Sequence, residues 1–260
     1  EDAEKSCLWL KREYDSGLIK SWSLDLIQNL PLSGFKEWQD DLKKAITFSP
    51  PHLSIYDLNI ENGTVFKKLI NLGKLKLPSD EEAFRNSEST HLILKNSGYS
   101  RYEISNYCLP RHQSRHNRVY WSGLGWWGFG QGSTSSPWGE KLTRPRVSKE
   151  YKEWVTRQYE YNLDVSLTNK EFVYKELDEK IMLGLRLKEG LDIKEVFKEQ
   201  NWGNKKFESN FSKLLEEWEK FLESGLLVRK GNRFFLSEPN GMELSNQVLV
   251  SMFKWWDEIN

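Results

Sequence analysis

Cysteine is nearly absent from this 260-residue chain: two residues, Cys7 and Cys108, far apart in sequence. Two cysteines make no disulfide framework, so a disulfide-stapled secreted domain is excluded and a cytoplasmic setting is expected. Charge of either sign is also missing as a surplus. Lys+Arg and Asp+Glu are 38 each, net +0, which removes the global field that a nucleic-acid or membrane-surface binder uses. No apolar run approaches the roughly 20 residues that span a bilayer, so neither a transmembrane segment nor a signal peptide is expected. Methionine numbers three and histidine four. With so few histidines, each must be accounted for.

Aromatics are plentiful, with 12 Trp, 10 Tyr and 13 Phe, and hydrophobic residues make up 38%. That suffices for a core and, at this length, for two domains. Ala3, Cys7, Leu10 and Tyr14 recur at helical spacing from the first residues. A chain that opens inside an amphipathic helix is expected to be a piece of a longer protein.

Ser21–Ile27 and His52–Leu58 read as strands. Between them a helix capped by Ser33 is expected to run to about Phe48, where Pro50-Pro51 breaks it. Gly63-Thr64 leads into a short helix, and Pro78-Ser79-Asp80-Glu81-Glu82 is a strong start for a helix reaching Leu94 or Lys95. Tyr102–Ser105 (YEIS) reads as a third strand. Strands alternating with helices predict parallel βα units, with chemistry at the strands' C-terminal ends.

The pattern changes from about Leu142 to Thr168, where Pro145 and a tyrosine-rich helix (Tyr151, Trp154, Tyr159, Tyr161) suggest a bridge. Leu167-Thr168-Asn169 can cap a helix over Phe172–Leu187. An apolar face from Phe207 to Leu222 follows at helical period, then Gly225, then a hairpin around Gly231-Asn232. Helices followed by a small hairpin predict a winged-helix-like α+β domain. Residues 171–260 carry 14 Lys/Arg against 17 Asp/Glu. A DNA-reading winged helix should be basic, so a nucleic-acid regulator is disfavoured against a lid or partner module.

The segment Gly98–Gly139 concentrates four of the Trp and two of the His. Residues 101–150 carry eight Lys/Arg against three Asp/Glu. Gly123-Leu124-Gly125-Trp126-Trp127-Gly128 matches G-x-G-x-x-G, but its Trp-rich flanks and the further Gly130 and Gly132 leave no helix to follow, so a nicotinamide site is rejected. Those glycines serve either close backbone approach to a ligand or a tight bend. Cys108, His112 and His116 are spaced C-x3-H-x3-H; three ligands without a fourth make a poor structural zinc site, and ordinary loop residues are the stronger reading. His116-Asn117-Arg118-Val119-Tyr120-Trp121 is more pointed. Imidazole can ligate iron, Tyr120 and Trp121 can stack on a ring, and Arg111, Arg115 and Arg118 can clamp carboxylates. Asp25, late in a buried-looking strand, needs a partner or a ligand, or else caps the following loop.

SLDLIQNLP, HLSIYDLNIENGT, GYSRYEISNYCLP, SRHNRVYW and GFGQGSTS, in this order, resemble the oxygen-independent coproporphyrinogen III oxidase-like radical SAM family, most closely its heme-chaperone branch. The branch's HNxxYW motif stands here as His116, Asn117, Tyr120 and Trp121, and the Trp-rich stretch after it is similar to cyanobacterial members. The likeness is strong from Trp22 to Trp121 and looser beyond Lys170. It implies an α/β fold: the C-terminal part of a partial (β/α) barrel over 1–141, a bridge over 142–168 and the family's small C-terminal domain over 169–260. It implies S-adenosylmethionine (SAM) bound on a [4Fe-4S] cluster in full-length members, with Asp25, Asn59 and Thr134 at SAM-contacting positions. The family often has Ala-His near Ser133-Thr134, which this chain lacks. The CxxxCxxC cluster motif is also absent, so no radical chemistry is expected of this chain alone. The resemblance further implies heme binding by His116, Asn117, Tyr120 and Trp121, and delivery to client hemoproteins. The alternative it carries is the oxidase activity itself, decarboxylation of coproporphyrinogen III propionates.

Overall fold

The structure, a computed structural model, describes residues 2–160 and 176–260. The opening helix is α1 (Asp2–Asp15), which buries Cys7. A strand–helix–strand unit follows: β1 (Ser23–Gln28), α2 (Phe35–Thr47) and β2 (His52–Asp57). β1 and β2 pair in parallel with Ser23 opposite His52, Asp25 opposite Ser54 and Ile27 opposite Tyr56. Gly34, not Ser33, is the N-cap of α2, and its cap has no side-chain hydrogen bond. α3 (Val65–Asn71) is capped by Thr64. α4 (Asp80–Asn96) carries a full capping box between Ser79 and Glu82, which satisfies two of the amides that a helix start leaves free.

The third strand departs from expectation. Tyr102–Ser105 is not a strand but the turn of an antiparallel hairpin made of β3 (Ser100–Arg101) and β4 (Asn106–Cys108). β4 pairs antiparallel with β2, giving the open order β1-β2-β4-β3. The segment turns inward without pairing as a strand: Tyr102 and Glu103 are buried and Ile104 packs into a second core.

One face of this sheet is apolar. Leu24, Leu26, Leu53 and Ile55 meet Trp38 and Leu42 of α2 and Leu94 of α4 in one core cluster. Period-2 alternation sends Ser23, Asp25 and Ile27, with His52, Ser54 and Tyr56, to the opposite face.

After the sheet come α5 (Arg115–Trp121), a small hairpin of β5 (Thr134–Ser135) and β6 (Leu142–Thr143), and α6 (Ser148–Glu160). Tyr161, the cap at 167–169 and the helix start at Phe172 lie outside the described residues. Then α7 (Leu177–Leu185), β7 (Leu191–Asp192), α8 (Ile193–Lys198), α9 (Asn204–Glu223), β8 (Leu227–Lys230) and β9 (Arg233–Leu236) build a winged-helix-like arrangement with sheet order β7-β9-β8. α10 (Asn240–Glu243) and α11 (Ser245–Ile259) close it. Its core holds Trp218 and Trp255, both fully buried. No helix among the described residues is long and apolar enough to cross a membrane.

Candidate functional site

The polar face of β1 and β2 forms the floor of a cavity of about 720 Å³. Segment 111–117 crosses above it. Asp25 is the single carboxylate among the lining residues, facing the cations Lys20, Arg111 and Arg115. Its strand reads as buried, but Asp25 is exposed, because the apolar face of β1 holds Leu24 and Leu26 instead. Ser23 Oγ donates to Asp25 Oδ1 at 3.0 Å and lies 2.8 Å from His52 Nδ1. His52 Nε2 lies 2.8 Å from the Tyr102 hydroxyl, which accepts from the Ser114 amide at 3.3 Å. Burial pushes the His52 imidazole below its ordinary pKa; Asp25 pulls it back and His112 adds to the lowering. Burial likewise pushes the Tyr102 phenol up to about 12, against opposing hydrogen bonds from Ser114 and Asn117.

Segment HNRVYW is a helix, α5, not a loop. Ser114 caps it by accepting from the Asn117 amide. Helical geometry divides its side chains among separate faces. Asn117 lines the cavity with Asp25. His116 and Tyr120, one turn apart, meet edge-on at 4.8 Å, and Tyr120 meets Trp126 at 4.7 Å. Trp121 lines a second cavity of about 800 Å³, shared with Lys180, Leu183 and Leu191, and Arg186 stands 5.8 Å over its ring. Arg118 is taken by an ion pair with Glu189, which leaves Arg111 and Arg115 as the arginines facing the first cavity.

The other residues singled out in the sequence are dispersed. Asn59 is exposed beyond the end of β2. Thr134 is on β5, where its hydroxyl meets that of Thr143 at 3.0 Å. A Cβ on Gly125 would run into the Pro137 carbonyl, and one on Gly128 into the Thr134 carbonyl. The close backbone approach at these two glycines is therefore to the chain itself, and Gly130 and Gly132 turn with φ of 87° and 70°. The C-x3-H-x3-H spacing makes no metal site: Cys108 is buried, His112 bonds Ser21 and Tyr14, and His116 meets Tyr120. No group of three or more candidate ligands exists among the described residues. Sequence reasoning passed over Ser23, His52 and Tyr102. The first two could have been found by extending the alternation that places Leu53 and Ile55 in the core.

Residues 175–243 match the HemN C-terminal domain family. The heme chaperone HemW of Synechocystis sp. is 32% identical over 249 residues, covering 92% of this chain and 60% of that protein. HemW of Escherichia coli is 34% identical over 163 residues, covering 61% of this chain and 42% of that protein. Among solved structures, the Escherichia coli coproporphyrinogen III oxidase HemN, a radical SAM enzyme, superposes with a TM-score of 0.66 at 16% identity, over 96% of this chain and 58% of that one. The chain thus spans about three-fifths of the Synechocystis relative, and the last likeness is one of fold.

Proposed function

This chain belongs to the HemW branch of the oxygen-independent coproporphyrinogen III oxidase-like radical SAM family, and on that footing we propose that it binds heme and takes part in delivering it to client hemoproteins in the cytoplasm. One observation carries the proposal from the chain's own side. Of the four histidines, His116 alone is exposed and, among the described residues, makes no hydrogen bond or ion pair, on the helix that carries HNRVYW. An uncommitted imidazole is what an iron centre requires of a protein ligand. Tyr120, one turn on, packs edge-on with it and with Trp126, and Asn117 and Trp121 each border a cavity. Arg111 and Arg115 line the first cavity, where they can meet propionates.

The groups implied by the radical SAM family fit unequally. Asp25, an exposed carboxylate on a cavity floor, suits the hydroxyl or ammonium donors of SAM; Asn59 and Thr134 are further candidates for contact with it. A [4Fe-4S] cluster does not fit the residues present, since both cysteines are buried and separate. The two core clusters, one in the sheet layer and one over residues 177–255, support a barrel-type unit over 1–141 and a C-terminal unit over 169–260.

Heme titrated into the chain should shift and sharpen the Soret band. His116→Ala should weaken binding about tenfold or more, roughly 1.4 kcal/mol, and change the band position. An unchanged spectrum would remove His116 as the iron-facing residue. Absence of any Soret change in the parent chain would remove the heme reading for this part of the protein.

A further inference from the structure

Five groups from four parts of the fold form one continuous hydrogen-bonded line beneath the first cavity. The line runs from the Asp25 carboxylate through Ser23, His52 and Tyr102 to the backbone amide of Ser114, the cap of α5. Its deep half is dry: His52 is 4% exposed and Tyr102 2%, while Ser23 and Asp25 open to the cavity.

The chemistry of the two ends fixes every direction between them. The Ser114 amide can only donate, and the Asn117 side chain opposes the rise of the phenol's pKa as a donor does, so the Tyr102 oxygen accepts from both and its O–H is left for His52 Nε2. The Asp25 carboxylate can only accept, so Ser23 spends its one proton on Asp25 and accepts from His52 Nδ1. Each polar hydrogen is used once only if the imidazole is neutral with its proton on Nδ1. An imidazolium would set a second donor against the Tyr102 oxygen and leave the phenol O–H without its acceptor. The titratable groups around the ring are Asp25 beyond Ser23, His112 from the segment above the cavity, and Tyr102.

We propose that His52 is a positioning residue: as a neutral Nδ1–H imidazole it holds the Asp25 carboxylate and the first turn of α5 in one register. This rests on the reading that Asp25 and α5 serve one ligand site. The consequence is coupling. A ligand donor that engages Asp25 alters what Ser23 gives and takes, and the line carries that change to the turn that starts the HNRVYW helix. Asp25 and Asn117 border the same cavity, so the line joins two walls of one space, by a route under its floor.

The test is made on the full chain, with neither heme nor SAM present, by NMR with ¹⁵N-labelled histidine. His52 should show a protonated Nδ1 and a bare Nε2, and should keep that form to a lower pH than an ordinary histidine does. An Nε2–H tautomer, or a charged ring at neutral pH, would overturn the proposal. A second measurement reads the coupling. Ser23→Ala should move the His52 ring nitrogens and the amide signals of Ser114 to Asn117, whereas Ser209→Ala on α9 should move neither. If the α5 amides stay in place in Ser23→Ala, the register role is wrong. His52→Gln should shift the same amides. Should Ser23→Ala not fold, the tautomer measurement on the parent chain still decides. Failure to bind heme would sink the proposed function and leave these readouts unaffected.

Discussion

Tyr102 has a phenol engaged with His52, the Ser114 amide and the Asn117 side chain, in a place water does not reach. Tyr102→Phe keeps the ring and strands these partners. The expected cost is about 1–3 kcal/mol, the penalty for a buried polar group left unpaired, read as a lower urea midpoint with an unchanged slope. The histidines set a pH dependence. Burial lowers the pKa of both His52 and His91, so the unfolded chain binds these protons more readily than the folded one. Their contribution is fully present above the unfolded value of about 6.5 and is lost as pH falls from there toward the folded values. Stability should decline with a slope of up to about 1.4 kcal/mol per pH unit for each histidine, and His52→Gln should flatten that slope without abolishing it, because His91 remains. A urea series across this range checks it. At this scale the sequence is legible by type but not by engagement. His116 and Asp25 can be singled out from residue chemistry. That Arg118 is consumed by Glu189, and that His52 is wired on both nitrogens, depends on contacts between segments far apart in the chain.

Helices were readable where their ends are written locally. Ser79 and Glu82 close a capping box three residues apart, so the start of α4 needs no tertiary information. Ser79→Ala should therefore cost about 1 kcal/mol, seen as a lower melting temperature. The HNRVYW stretch lacks such clarity, because a helix of seven residues carries too few turns for its period to stand out. YEIS misleads for a different reason. Its residues are buried as a strand's would be, but by a hairpin turn whose Ile104 and Glu103 reach the C-terminal part, where Glu103 bridges Leu187. Burial of side chains does not report whether the backbone pairs with a neighbour. The glycines of the Trp-rich stretch behave likewise. The need for close approach is local and visible; the identity of what approaches is not. Gly128→Ala should force the 126–128 segment away from Thr134 and lower stability.

At the scale of the whole molecule, the two cores are joined through a small number of buried contacts around that same turn. Arg101 is 5% exposed. Its guanidinium donates to the carbonyls of Glu103 and Ile104 and, at 2.6 Å, to Glu243 of α10. The Lys188 amide donates to the Tyr102 carbonyl at 3.1 Å. A buried pair of this kind adds little net stability when whole, but removing one partner leaves the other charge desolvated and unpaired, at about 3–5 kcal/mol. Arg101→Leu should therefore cost more than any surface substitution. The cost should fall on the joint, because each side keeps its own apolar cluster, with Leu42 and Leu94 in one and Trp218 and Trp255 in the other. Amide hydrogen exchange separates the possibilities. In Arg101→Leu the Lys188 amide should lose protection while amides in α2 and α9 keep theirs, the signature of a local opening below the global one. Equal loss at all of these amides would mean that the two cores form one cooperative unit. In that case a change at Arg101 would reach the cavity of Asp25 and the helix of His116 only by unfolding the chain.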